Sequence, residues 1–404
     1  MKSLAIGIAL LVSTVGAVAL YPNPRNPNAI DPRNHPAVQI PPEVLQTQTQ
    51  PRIDVVFTLD TTGSMSGLIA AAKEKIWSIA TTMAQADPAP EIRMGLVAYR
   101  DRGDAYVTRI VDLSPDLDSM YARLMEFRAG GGGDGPESVN AALDQAVNRM
   151  SWSTEPNTYR VIFLVGDAPP HMDYADEVQY PQTLQAAKAR GIFVNAIQCG
   201  QDVATAQRWQ QIAQLGAGSY FKVGQDGDAV AIATPFDAQL AELSAQLDQT
   251  RLYYGNATEQ AAKRRKIEAA AQVQAGASVA SRARRATFNA SKSGEANLFG
   301  DSELVEDVAS GRVALDALAP EALPEPLRGL SPEARENHVA RTTEQRRELQ
   351  RQIADLAGQR ADYLKQKVEE AGGAGASLDD RLYGAVREQA ETQGLSYKAA
   401  APAY

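Results

Sequence analysis

A short apolar run rich in β-branched residues, Ile53-Asp54-Val55-Val56-Phe57-Thr58-Leu59, ends at Asp60 and passes directly into Thr61-Thr62-Gly63-Ser64-Met65. The run reads as a buried strand of a parallel sheet. Beyond Ser64, Leu68, Ile69, Ala72, Ile76 and Ile79 recur at helical spacing. A strand therefore hands over to a helix through a loop that carries one carboxylate and two hydroxyls at alternate positions, Asp60, Thr62 and Ser64. In an open parallel sheet, ligands bind at the carboxyl ends of the strands. Oxygen-only donors suit a hard cation such as Mg²⁺. A lone D-x-T-x-S phrase also serves as a helix N-cap, so the other loops decide between the two readings.

The rest of the first half repeats the alternation. Strands are expected at 53–59, 92–99, 105–111, 160–166, 191–198 and 219–223. Helices are expected at about 65–85, 116–127, 137–149, 182–189, 203–214 and 235–247. The Gly103-Asp104 turn makes the third strand a hairpin partner of the second. Pro136 and Glu137 are placed in the first turn of the 137–149 helix. The expectation is a doubly wound α/β domain with a mostly parallel six-stranded sheet and one antiparallel edge strand.

Three loops supply oxygen donors in chain order. Asp60-x-Thr62-x-Ser64, the Gly133-Asp134-Gly135-Pro136-Glu137 phrase and Asp167 at the end of the fourth strand together resemble the von Willebrand factor A domain and its metal-ion-dependent adhesion site. The middle phrase is similar to the D-x-P-E of integrin β-subunit I-like domains; the threonine usual in other members is missing. Arg93-Met94-Gly95-x-x-x-Tyr99-x-Asp101 is similar to the strand that ends in an aspartate of their adjacent site. The resemblance implies Mg²⁺ or Mn²⁺ held by Asp60, Thr62, Ser64, Glu137 and Asp167, with Ca²⁺ beside it on Asp134 and Asp101. The competing reading pairs Asp101 with Arg100 or Arg102 and leaves Asp134 to the glycine turn. A third integrin site is not expected, because Gly67 and Leu68 stand where its aspartates would be.

The implied function is an exported, divalent-metal-dependent protein-binding or adhesion module, of bacterial type, whose cation accepts a carboxylate from a partner protein. The alternatives are a scaffold or assembly factor for an envelope complex and a metal-dependent hydrolase. An enzyme is not expected. There is no H-E-x-x-H and no Walker loop, and His35, His171 and His338 are scattered. Gly130-x-Gly132-x-x-Gly135 follows a helix rather than a strand, so it is no dinucleotide fingerprint. His171 beside the site is read as packing rather than binding.

Outside the domain, Met1–Ala19 reads as an export signal with Ala17-Val18-Ala19 as its cleavage site, the competing reading being an uncleaved anchor. Secretion or a periplasmic location follows. Residues 20–52 hold eight of the 22 prolines and read as an extended linker. The domain occupies 53–250, and a mainly helical extension occupies 251–404. In that extension a broken segment spans 291–332, a long polar helix spans 333–370 with an apolar stripe from Leu349 to Val368, and a short helix spans 378–393. The net charge is −9 and the acidity lies before Gly255, which argues against a nucleic-acid partner and suits a cation. Lys263-Arg264-Arg265-Lys266 and Arg282-x-Arg284-Arg285 are read as solvated helix faces, the only membrane contact besides the signal being through such helices. The single Cys199 is read as structural.

Overall fold

A computed structural model describes residues 50–133, 135–224, 232–370 and 378–399. The expected signal, most of the linker, Asp134 and the stretch 371–377 between the last two expected helices lie outside the described residues. Strands β1 (Arg52–Asp60), β2 (Glu91–Tyr99), β3 (Thr108–Ser114), β4 (Thr158–Gly166), β5 (Ile192–Cys199) and β6 (Ala217–Val223) form one sheet in the order β3-β2-β1-β4-β5-β6. Every pairing is parallel except β2 with β3. Strand order reverses between β1 and its two neighbours β2 and β4, so the sheet's switch point lies where β1 and β4 end.

Alternation along β1 builds two cores. Ile53, Val55, Phe57 and Leu59 face one side, where they meet helix α1 (Ser66–Met83) and α2 (Leu117–Glu126). Val56 faces the other, with α3 (Val139–Asn148), α4 (Tyr180–Ala189) and α5 (Val203–Leu215). The opposite end of β1 is anchored by Asp54, which is fully buried and accepts from Arg93 at 2.8 and 2.6 Å.

Two element starts near the site differ from expectation. The third strand starts at Thr108 rather than 105, because Tyr106 turns aside to stack under Arg100 and Arg109. Glu137 precedes its helix instead of lying in the first turn. Its segment is held as a parallel bridge to Pro170, and α3 starts only at Val139.

The second half is helical: α6 (Asp237–Gln249), α7 (Ala257–Gly276), α8 (Val279–Asn289), α9 (Lys292–Phe299), α10 (Leu304–Ala309), α11 (Glu325–Arg328), α12 (Pro332–Glu370) and α13 (Leu378–Glu391). The broken segment thus carries short helices. These elements share side chains with the sheet domain. Phe288 of α8 packs 5.8 Å from Trp77 of α1, and Gln389 of α13 accepts from Tyr159 of β4 at 2.7 Å. Leu349 and Ile353 of the α12 stripe are buried with Leu240, Leu243 and Leu247 of α6.

The basic clusters are only partly solvated faces. Lys266 is buried and donates to the Asn297 carbonyl at 2.6 Å. Arg285 is fully buried between Asp118 and Asp248. A basic run on a helix repeats every residue, but the helix turns 100° per residue, so some of its members necessarily point inward. Cys199 is buried. Among the described residues no helix is long and apolar enough to cross a membrane.

Candidate metal centre

The β1 exit folds its own side chains together. Thr62 donates both its N–H, at 2.9 Å, and its hydroxyl, at 2.6 Å, to Asp60 Oδ1. The Thr62 and Ser64 hydroxyls lie 3.2 Å apart, and Ser64 donates to Asp167 Oδ1 at 3.0 Å. Four of the expected ligands, from two adjacent strand ends, are therefore joined by one chain of hydrogen bonds. Gly166 allows this approach. A Cβ there would lie 2.4 Å from the Tyr99 hydroxyl and 3.1 Å from Asp60 Oδ2.

Glu137 joins from the third loop. Its N–H donates to the Pro169 carbonyl at 2.9 Å, and its own carbonyl accepts from His171 N–H at 3.1 Å. The glycine loop passes between Glu137 and the first loop: a Cβ on Gly132 would lie 3.8 Å from Glu137 Oε1 and 3.7 Å from Thr62 Cβ. Asp104 fixes that loop by accepting from Gly132 N–H at 3.2 and 3.1 Å. Gly131 has φ of +78°, and a Cβ on it would meet Asp104 Oδ1 at 2.2 Å. Asp104 was legible only as a turn residue; its part in the glycine loop depends on contacts across 28 positions.

The site is deep on one side and open on the other. Asp60, Thr62 and Glu137 are buried, Asp167 is half-buried and Ser64 is exposed. Among the described residues Asp60 Oδ2 and Glu137 Oε2 are buried with no hydrogen-bond partner. Burial pushes the Asp60 carboxyl up to about 7; bonds from Thr62 pull it back, and the charge of Asp167 raises it further. Burial likewise pushes Glu137 up to about 9, with the negative charges of Asp60, Asp101, Asp104 and Asp167 adding to the effect. Crowded, desolvated carboxylates resist ionising together, and a cation among them reverses that preference. The residues present thus fit a hard divalent ion.

Among the described residues no group of three or more His, Cys, Asp or Glu side chains forms a ready metal cage. The three expected carboxylates, Asp60, Glu137 and Asp167, therefore do not meet as such a group, and hydroxyls and waters would have to complete the coordination of an ion between them. Asp101 is drawn into other contacts: its oxygens accept from Ser138 and Tyr174 at 2.8 Å each. Arg100 and Arg102 turn away from it, toward the carbonyls of Thr61 and Arg128 and toward Asp176 and Glu177 respectively. His171 packs flat on Tyr174 with ring centres 4.0 Å apart and bonds Asp173 at 2.8 Å.

A cleft of about 740 Å³ beside the site is lined by Pro136, Pro169, Pro170, Met172 and Asp173 and by Ala204, Gln207, Arg208 and Gln211 of α5.

Residues 54–234, less than half of the chain, match the family described as von Willebrand factor A domain. The α-protein kinase vwkA of Dictyostelium discoideum is 32% identical over 121 residues, covering 30% of this chain and 19% of that protein. Von Willebrand factor A domain-containing protein 7 of Rattus norvegicus is 32% identical over 142 residues, covering 30% of this chain and 15% of that protein. The chain therefore spans less than a fifth of the length of these relatives. A solved von Willebrand factor type A structure from Catenulispora acidiphila is 19% identical, with a TM-score of 0.34, and covers 43% of this chain and 39% of that one. The segment 54–234 thus matches the von Willebrand factor A domain and carries a fold like it.

Proposed function

We propose that the chain is a divalent-cation-dependent protein-binding module. The observation that carries this reading is the pair of buried, unpartnered carboxyl oxygens, Asp60 Oδ2 and Glu137 Oε2, at the sheet's switch point. Asp60, Thr62, Ser64, Glu137 and Asp167 would hold Mg²⁺ or Mn²⁺. The ion supplies an electrophilic position for a carboxylate of a partner protein. The protein's own contribution is to desolvate Asp60 and Glu137, to orient the hydroxyls and to leave the Ser64 and Asp167 side open. A single charged contact is modest in strength, so specificity falls to the surrounding surface. The neighbouring cleft, lined by prolines, Met172, Asp173 and Arg208 among others, offers such a surface.

The reading is of a binder; His171 beside the site stacks on Tyr174 and pairs with Asp173. The similar segments in proteins with as different descriptions as a kinase and a domain-containing protein support a portable recognition unit. With the expected export signal, it would work outside the cytoplasm.

Capture on immobilised protein in Mg²⁺, eluted with EDTA, tests the reading. Partners should be retained by the wild type, released by EDTA and lost with Asp60→Ala. Partners retained equally by Asp60→Ala, or indifferent to EDTA, would refute it.

A further inference from the structure

Glu137 reaches the site from a stretch of chain outside helix and strand, so something other than regular structure has to fix its carboxyl. Its main chain is bonded to Pro169 and His171, and the next residue, Ser138, donates its N–H to the Arg100 carbonyl at 3.2 Å. The side chains complete the brace. Asp101, 5% exposed, accepts from the Ser138 hydroxyl on Oδ1 and from the Tyr174 hydroxyl on Oδ2, each at 2.8 Å. His171 Nε2 lies 3.4 Å from the same Oδ2. Tyr174 is in turn sandwiched between the His171 ring and the Arg102 guanidinium, 4.0 Å away on each side, and Arg102 is tied to Asp176 and Glu177 at 2.9 Å. One carboxylate thus joins the exit of β2, the Glu137 segment and the loop after β4.

We propose that Asp101 is a positioning residue for Glu137, acting through Ser138 and Tyr174, and not a ligand of a second cation. The inference rests on the metal-centre reading above. A cation drawing on Asp101 would compete with two hydroxyl protons already seated on its oxygens. Asp101 in its observed place instead sets where Glu137 stands relative to Asp60. Groups that orient a ligand in this way alter metal affinity about 10- to 100-fold when removed.

Chelator-stripped wild type, Ser138→Ala, Tyr174→Phe, Asp101→Ala and Glu137→Gln are titrated with Mg²⁺ and separately with Ca²⁺ by calorimetry. Ser138→Ala is the decisive variant, because it removes no carboxylate and keeps every candidate ligand of a second ion. It should weaken Mg²⁺ about tenfold. In the Glu137→Gln background, neither Ser138→Ala nor Asp101→Ala should weaken Mg²⁺ further. Without metal, amide exchange at Glu137 and His171 should quicken in Ser138→Ala and Tyr174→Phe. The inference is overturned if Ser138→Ala binds Mg²⁺ as the wild type does. It is overturned equally if the wild type shows a second Ca²⁺ step that Asp101→Ala loses and Ser138→Ala keeps. A wild type that takes up no Mg²⁺ would instead sink the metal-centre reading, and the exchange rates alone would then decide whether Asp101 braces Glu137.

Discussion

Removing the Arg285 side chain should cost the whole protein stability, although the residue lies far along the chain from the sheet. Arg285 donates to both oxygens of Asp118 at 2.6 Å, to both oxygens of Asp248 at 2.9 Å and to Ser244 at 2.8 Å. It joins α8 to α2 and α6, and it is fully buried. In Arg285→Ala two carboxylates lose their countercharge, with Arg251, 3.3 Å from Asp248, left to offset part of it. Breaking a buried pair from one side costs about 3–5 kcal/mol. The pH dependence follows from Asp118. Burial alone would raise its carboxyl, but the charge and hydrogen bonds of Arg285 outweigh this and hold it below the usual carboxylate range. Its folded-state value is therefore depressed, and the stability it contributes is present above its unfolded value of about 4 and lost as pH falls below that. The orphaned carboxylates of the variant can also protonate, so the gap between wild type and Arg285→Ala should close toward acid. Urea denaturation at pH 7 and at about pH 4 measures both quantities. A difference under about 1 kcal/mol at pH 7, or one that widens in acid, would refute the reasoning.

The remaining expectations concern the site and its support. Gly166→Ala places a methyl 2.4 Å from the Tyr99 hydroxyl; it should cost about 1–3 kcal/mol by urea and weaken Mg²⁺ as well. Asp54→Ala, at the far end of β1, frees Arg93 and the Ser153 N–H, which bonds Asp54 at 2.7 Å. It should cost about 3 kcal/mol while leaving Mg²⁺ affinity unchanged in calorimetry. Asp60→Asn removes a buried carboxyl oxygen that lacks a partner, so the chelator-treated variant should melt no lower than wild type yet gain nothing from Mg²⁺. The wild type at an Mg²⁺ concentration 100 times its Kd should gain about 2.7 kcal/mol.

The parts of the fold that are legible in the sequence are those written in local pattern. The β1 run, the helical spacing after Ser64 and the hairpin at Gly103 each depend on neighbours a few residues apart, and a mostly parallel six-stranded sheet with one antiparallel edge follows from them. Asp60, Thr62, Ser64 and Asp167 sit at strand ends, where the strand pattern itself locates them. Glu137 is different. Pro136 and Glu137 read as a helix start, but pairing with Pro169 and His171 holds the segment out of α3. The brace of Asp101, Ser138 and Tyr174 spans 37 and 73 positions, so no local spacing reveals it. The buried arginines are concealed for a related reason. Composition marks Arg285, Arg346 and Arg360 as surface residues, whereas their partners Asp118, Glu303 and Asp237 become visible only when distant helices meet. A weaker signal was present in α8, where Ser281, Arg285 and Phe288 fall on one helical face and all three are buried. The same long-range packing makes the helical region part of the sheet domain's core, so a chain truncated before Ala257 would expose Trp77 and Tyr121.

The most direct measurement is calorimetric titration of chelator-stripped protein with Mg²⁺, wild type beside Asp60→Ala and Asp167→Ala. The account predicts saturable uptake by the wild type and none by either variant, with both variants still folded by circular dichroism. Equal uptake by all three proteins, or none by the wild type, would contradict it.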